Sequence, residues 1–536
     1  YNIGRVTGGH EVGGLVGYAQ NAALGDEKGT QIYNKMDISG GYNVGGIVGS
    51  MEGGTVVNAA NYNSITATGS IGENYYYYGA TNAGSGNAST EVIGNVKHAK
   101  DEANSDAIDG TGDKQTEVAN AGGIVGNSKN TTITTVVNEG DIQSITSSTS
   151  ETSSDGKTYS YYKAGNVGGI VGRAEDTIIT DAANKENKVS GAHNVGGIAG
   201  YLGATKGNTA SISNSVNNGG FIYGTGARAY DDDNRLIRLT EWVRPNKQGT
   251  ESNIIGNVGG IVGYVYSGGV DTSGGGSISI NSSGNRGNVS GTEYFNKYGY
   301  YSPNRTRAIA NVGGIVGKLD VGNEYGNDVS EDTIDAKVSD KLDKIKSIDK
   351  GIHIDAVINN SYNSGTVNGM QNVGGIVGMM YNGSVADSYN LGNIKSLVTE
   401  NSVSGGPTWV NMGGIVGGTT ENVTARGILY NVYNDGVIGD SKYKTGGLHV
   451  GGIAGRFSGS MEQSYNTGAV YNIAHATGGI MGAIWKANIK NVFNAGNVTS
   501  YNKHYYPGLQ NSGVGGIIGV KTASCLLYTS PSPRDA

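Results

Sequence analysis

Few stretches of this sequence hold reactive side chains at a spacing that chemistry uses. His10-Glu11 opens like the His-Glu-X-X-His of a zinc protease, in which two histidines one helical turn apart hold the metal and the glutamate acts as base. The position for the second histidine is Gly14, so the set is incomplete. Gly156-Lys157-Thr158 ends like a phosphate-binding loop, yet the glycine that should open that loop is Glu151. Asp231-Asp232-Asp233-Asn234 offers oxygen ligands for Ca²⁺ but lacks the alternation and the distal glutamate of an EF-hand. A solvated loop is the simpler reading, and no cofactor is expected. There is no Gly-X-Ser-X-Gly elbow and no complete Gly-X-Gly-X-X-Gly, and the seven histidines are scattered. These residues support no catalytic constellation, and the expectation is a non-enzymatic chain. What remains is aromatic: Tyr75, Tyr76, Trp242 and Trp409 fall in irregular stretches. Exposed rings there can stack on sugars or anchor a protein partner, the alternative being that they cover the flank of the fold.

Composition says what must position such residues. The chain has 536 residues with 94 glycines, 6 prolines and 4 phenylalanines, and only 15% of its residues are charged. Without a Gly-X-Y period this is not collagen, and without polar low-complexity runs it is not plain disorder. The formal charge of −7 leaves no electrostatic footprint for nucleic acid, and no apolar run is long enough for a membrane-spanning helix. The single cysteine, Cys525, removes disulfides from the fold.

Self-comparison supplies the organisation. A Gly-Gly-Ile/Leu-X-Gly element occurs twelve times, with its Gly-Gly starting at Gly13, Gly45, Gly122, Gly168, Gly196, Gly259, Gly313, Gly374, Gly413, Gly451, Gly478 and Gly515. Its third position carries Ile47, Ile124, Ile170, Ile198, Ile261, Ile315, Ile376, Ile415 and Ile453, among others. A second element, Tyr-Asn-X-Gly-X-Val/Ile, alternates with it around Asn2, Asn34, Asn61, Asn138, Asn184, Asn217, Asn285, Asn363, Asn390, Asn434, Asn466 and Asn494. The shortest steps sum to 27 residues, as from Asn363 to Asn390, which is one coil of a solenoid and not a domain.

Each unit holds three β-favouring stretches, for example Val373 to Val377, Ser384 to Ser388 and Asn393 to Leu397. Stretches so short bury a core only by stacking on their equivalents about 4.8 Å away in the next coil. The Ile of Gly-Gly-Ile is the expected inward residue. Strict alternation then turns the following Val outward, so either a second layer covers it or the Gly-Gly bends the strand. The Asn is expected to form a hydrogen-bonded ladder from coil to coil, and it and the Gly two residues later both suit left-handed turn conformations. Ile334, Val338, Leu342 and Ile345 recur at helical spacing within Asp332 to Ile348, predicting a short amphipathic helix docked on the rod.

The paired elements, Gly-Gly-Ile/Leu-Val-Gly and Tyr-Asn-X-Gly-X-Val, resemble the GLUG repeat of large bacterial surface proteins, and the likeness runs from Tyr1 to about Val520. The resemblance implies a secreted or cell-envelope location, a scaffold or adhesive role, and no catalytic residues. The expected fold is therefore an all-β parallel β-solenoid (β-helix) of about twelve coils over residues 1–520, with corner insertions at about 66–121, 143–165, 223–256 and 318–361. A monomeric rod within a longer chain is expected, its loops presented to host proteins or glycans. The same family includes non-catalytic regions of IgA-cleaving metallopeptidases, which is the alternative role. A β-helical polysaccharide lyase is less favoured, because Asp and Lys fall mostly in the insertions. Residues 525–536, CLLYTSPSPRDA, resemble the translation of a sequencing-library adapter, which would make the chain a metagenomic fragment, and they are left out of the expected fold.

Overall fold

The computed structural model describes residues 1–68, 119–144, 165–225, 256–267, 276–291, 309–321, 357–397, 410–419, 427–442, 446–473, 475–501 and 513–521, with short pieces of the insertions and of the tail. Nearly every described element is a strand, and parallel sheets of 19 and 28 strands run the length of the molecule. It is a parallel β-solenoid.

One coil shows the pattern. A first arm, Asn372–Gly374, lies in the smaller sheet; Val377–Met380, Gly383–Ala386 and Tyr389–Asn390 form three arms of the larger sheet; Ile394–Ser396 returns to the smaller one. Equivalent residues stack in register, as in Asn363↔Asn390↔Asn434↔Asn466. The expected single stretch Val373 to Val377 is thus two strands, because the chain bends at Gly375-Ile376.

That bend settles the question of the outward valine. Ile47 and Val48 are both fully buried and lie in the same apolar cluster, so no second layer is needed here. The bend turns two consecutive N–H groups the same way: those of Ile47 and Val48 both donate to the Ile124 carbonyl at 3.0 Å. This paired donation recurs up the rod as far as Ile480 and Met481 on Ile517. Ile47, Ile124, Ile170, Ile198, Ile261, Ile315, Ile376, Ile415 and Ile453 are all at 0% exposure, each worth roughly 1.5–3 kcal/mol of burial.

Two apolar clusters fill the cross-section. The larger lies within the three arms of the larger sheet; the smaller, including Val44, Ile65, Val373 and Ile394, lies between the arms of the smaller sheet. Between them the second glycine of the bend meets the ladder asparagine. A Cβ on Gly46 would sit 2.7 Å from the Asn61 amide and overlap the Gly123 carbonyl oxygen. The first glycine is equally confined, since a Cβ on Gly45 would overlap the Val48 carbonyl. Each coil is therefore pinched at a waist between two apolar lobes, where glycines on one side face the ladder asparagine on the other.

The left-handed corner is elsewhere than expected. The ladder asparagines are not in that region; the residue three positions earlier is, at Asn58, Asp181, Asn360, Asp387 and Asn431, with φ between 46° and 53°. The glycine two residues after the ladder asparagine serves close approach instead: a Cβ on Gly365 would overlap the Gly287 carbonyl. Short polar side chains at the corner fit, since they tolerate this conformation best after glycine.

The helix forms where its spacing puts it, among the described residues. Asp340, Leu342, Asp343 and Ile345 are helical, and Leu342 and Ile345 are buried against Ala386, Ile428 and Tyr430 on the outer face of the larger sheet. Ile334 and Val338 lie outside the described residues. The array strands reach further into two of the expected insertions, taking in Phe221–Gly224 at the start of one and Val316–Asp320 and Ile358–Asn359 at the two ends of the other. Leu526–Leu527 pairs in parallel with Asn488–Ile489, a backbone contact open to any β-favouring pair at that edge; the rest of 525–536 lies outside the described residues.

The waist contact makes a direct prediction. Gly314→Ala, which would overlap the Gly375 carbonyl and the Asn363 side chain, should cost about 3 kcal/mol in urea denaturation. Gly516→Ala at the last copy, where nothing lies within 4 Å, should cost no more than about 0.5 kcal/mol. Equal costs would show that the bend does not demand glycine for the stated reason.

Candidate functional site

The side chains brought together most regularly are amides. All twelve asparagines of the repeat stack into one ladder, each but the last donating to the next coil: Asn2 to Asn34 at 2.9 Å, Asn61 to Asn138 at 2.8 Å, Asn184 to Asn217 at 2.9 Å, Asn363 to Asn390 at 2.7 Å, and so on to Asn466 and Asn494 at 2.8 Å. The second amide hydrogen goes to a backbone carbonyl, as from Asn390 to Gly392 at 2.7 Å, while the oxygen also accepts from the Gly392 N–H at 3.2 Å. An asparagine offers two donors and two acceptor sites, and here all are used although the residue is fully buried. Ser361 and Ser388 stiffen the approach: the Ser361 N–H donates to Ser388 Oγ at 3.1 Å, and Ser388 Oγ donates to the Ala386 carbonyl at 2.6 Å.

A second ladder lies outside the two motifs read from the sequence. The residue before the Val-Gly-Gly strand is Asn43, Asn120, Asn166, Asn194, Asn257, Asn311, Asn372 and Asn411, and these too are linked coil to coil, from Asn120 to Asn43 at 2.8 Å up to Asn411 to Asn372 at 2.8 Å. Its direction is reversed, since each amide donates to the preceding coil. The motif extended one residue upstream, as Asn-Val-Gly-Gly, carries the signal.

The ends of this ladder are chemically apt. Asn43 donates to Glu11 Oε1 at 3.2 Å, and a carboxylate is an acceptor only. Burial pushes the Glu11 carboxyl above its usual range, with hydrogen bonds from Asn43 and Ser50 pulling the other way. At the other end His449 Nδ1 lies 2.7 Å from Asn411 Oδ1. Asn411 already donates to Asn372, so its oxygen faces His449 and the imidazole is the Nδ1–H tautomer. The ring meets Trp485 edge-on at 5.4 Å, and Arg456 lies over that indole at 5.6 Å. Burial, helped by Arg456 and His475, lowers the His449 pKa to about 3; burial, helped by Lys318, lowers that of His193 to about 4.

One buried charge within the array is closely paired. Arg173, almost wholly buried, contacts Glu175 at 2.6 Å and lies over the Tyr201 ring at 4.8 Å. Burial raises the Glu175 carboxyl, but Arg173 and Lys129 more than offset this, and it titrates below its usual range. Among the described residues no three His, Cys, Asp or Glu side chains are grouped to hold a metal.

Aromatics form a stack on the outside. Tyr389, Tyr433, Tyr465 and Phe493 lie ring on ring at 4.9, 5.0 and 4.9 Å with planes within 4°, and Tyr362 precedes them at 5.7 Å. Neighbouring rings cover each other's faces, so the column presents mainly edges and hydroxyls, except at its end, where Phe493 is 55% exposed. The ligand-binding candidates suggested by the sequence are not among these rings. Tyr75, Trp242, Trp409 and Asp231 to Asn234 lie outside the described residues, and of Tyr76 the structure gives only its backbone pairing with Val92 in a short hairpin. Trp485, in an array strand, is the tryptophan that the structure places.

No protein-family model matches the chain, and no curated protein or solved structure does either. The likeness to the GLUG repeat rests on the motif alone.

The buried imidazoles set a pH dependence. Both histidines are held neutral, with folded pKa values of about 4 and about 3 against 6.5 in the unfolded chain. Between these limits the unfolded chain binds more protons, so stability is fully present above about pH 6.5 and falls as the pH drops towards 4. His449→Asn puts a non-titrating amide on the ladder, and its melting temperature should fall less than the parent's between pH 7 and pH 4.5. An identical fall in both proteins would mean that His449 does not set the pH dependence.

Proposed function

We infer that this chain is a non-enzymatic, adhesin-like rod of a bacterial surface or secreted protein, displaying loops for host or glycan ligands. The observation that carries this reading is where the loops leave the rod. The segments 69–118, 145–164, 226–255, 292–308, 398–409 and 502–512 each follow the last arm of one coil and precede the first arm of the next. These six depart from one corner, with coils about 4.8 Å apart, while 268–275, 322–356 and 420–426 leave at a second corner, between the first two arms of the larger sheet. Binding residues commonly sit on loops held by a rigid scaffold. Two of these loops also join: Thr158–Tyr162 pairs with Ser148–Thr152, and Ser160 and Tyr161 pair with Tyr230 and Ala229 from two coils further on. Strand positions, by contrast, are given over to amides, small residues, buried aliphatics and aromatics stacked on one another.

Glycan-array and host-protein binding by the purified chain tests the reading. Trp242→Ala and Trp409→Ala should weaken binding by about tenfold or more, as for aromatic anchors, without changing the far-UV spectrum. Absence of binding to any glycan or extracellular host protein would count against an adhesive role.

A further inference from the structure

Tyr362, Tyr389, Tyr433 and Tyr465 lie opposite one another in four successive coils, with Phe493 in the next. The same position in earlier coils is Val137, Ala183, Val216 and Gly284, so phenols are absent from the middle of the column. At its N-terminal end Tyr1 stacks on Tyr33 at 5.2 Å with planes 9° apart. Parallel register turns the rings of the C-terminal series the same way, hydroxyl beside hydroxyl. All four tyrosines are half-buried, so their outer edges face solvent. Among the described residues, the only hydrogen bond to one of these four hydroxyls comes from Arg286 Nε to Tyr362 at 2.8 Å.

Phenols stacked in this way face each other through the same carbons. A one-electron oxidant, such as the ferryl haem of a peroxidase fed by hydrogen peroxide, takes an electron from each ring, and each phenolic proton leaves with it. The two phenoxyl radicals pair through their ortho carbons and form a C–C bond; the hydrogen on each of those carbons then moves to the phenolic oxygen. One peroxide accepts the two electrons and two protons and becomes two waters. We propose that this column is a site of oxidative cross-linking, joining Tyr389 to Tyr433 and Tyr433 to Tyr465 as dityrosine. These centroids are 4.9 and 5.0 Å apart, with planes 4° and 2° from parallel. Tilting the solvent-facing edges towards each other closes the gap while the strands stay in place. Tyr362 is further off, at 5.7 Å and 15°, and its hydroxyl is held by Arg286. Phe493 has no phenol, so the series stops at Tyr465. Tyr201 and Tyr264 also meet, but they cross at 75° and are almost wholly buried, which leaves them out. With Cys525 as its single cysteine the chain cannot close a disulfide on itself, and a biaryl bond between coils is its covalent alternative. Such a bond closes a loop and so limits the unfolded chain.

Treating the dilute purified chain with a haem peroxidase and hydrogen peroxide tests this, the monomer being isolated under denaturing conditions, digested and mapped by mass spectrometry. The monomer should gain dityrosine fluorescence and lose two hydrogens per linkage, with the peptides of Tyr389 and Tyr465 each joined to that of Tyr433. After oxidation it should unfold at a higher urea concentration. Tyr433→Phe keeps the ring stack and removes the shared phenol; it should lose both linkages and most of the gain in urea midpoint, at an unchanged far-UV spectrum. Tyr201→Phe should lose neither. The proposal is overturned if the parent monomer forms no dityrosine under conditions that couple free tyrosine, or if its linkages omit Tyr433. It is overturned equally if Tyr433→Phe keeps the full gain, or if Tyr201→Phe is as impaired as Tyr433→Phe.

Discussion

The waist of each coil, where the second glycine of the bend presses on the ladder asparagine, is the contact on which the rest of the cross-section depends. With no Cβ at Gly46, the chain approaches the Asn61 amide and the Gly123 carbonyl closely enough to separate two apolar clusters. With an asparagine and no longer side chain opposite, the waist stays narrow and the amide finds a partner for each of its polar atoms. A buried amide left unpaired costs about 1–3 kcal/mol, so a ladder is stabilising only when it is continuous. This ties the identity of one residue to its equivalents in the coils above and below.

The two amide ladders run with opposite donor direction, so the polarity that accumulates along one is countered by the other. Each also keeps its coil in register, because a slip of one residue would break a rung and turn every aliphatic outward. With register fixed from inside, the outer positions are free to vary. They carry a stack of tyrosines in one half, hydroxyls in the other, and loops at two corners. A scaffold of this kind separates what holds the rod together from what it displays.

Much of this is legible in the residues. The alternation of Gly-Gly-Ile with Tyr-Asn gives the coil and the buried isoleucines because both depend on repeated, local sterics. The docked helix follows from the spacing of Leu342 and Ile345. The second ladder is hidden from a motif that begins at its valine, one residue downstream of Asn43, Asn166 and Asn194. The left-handed corner belongs not to the asparagine of the Tyr-Asn ladder but to Asn360, Asp387 and Asn431, three residues earlier; an asparagine's tolerance for that conformation does not say which asparagine uses it. Single residues such as Glu11 and His449 depart from the repeat, and only the stacking shows that they close a ladder. Loop chemistry around Trp242 and Trp409 follows no repeat, so periodicity says nothing about it.

Hydrogen exchange at the asparagine side chains tests the two ladders most directly. In a sample labelled with ¹⁵N at asparagine alone, the internal amides of both ladders should exchange only as slowly as coils open. The exposed asparagines should exchange at the rate of a free amide, giving two well-separated populations. If every asparagine amide instead exchanged at the free rate, there would be no buried ladders, and the waist that organises the coil would have to be explained without them.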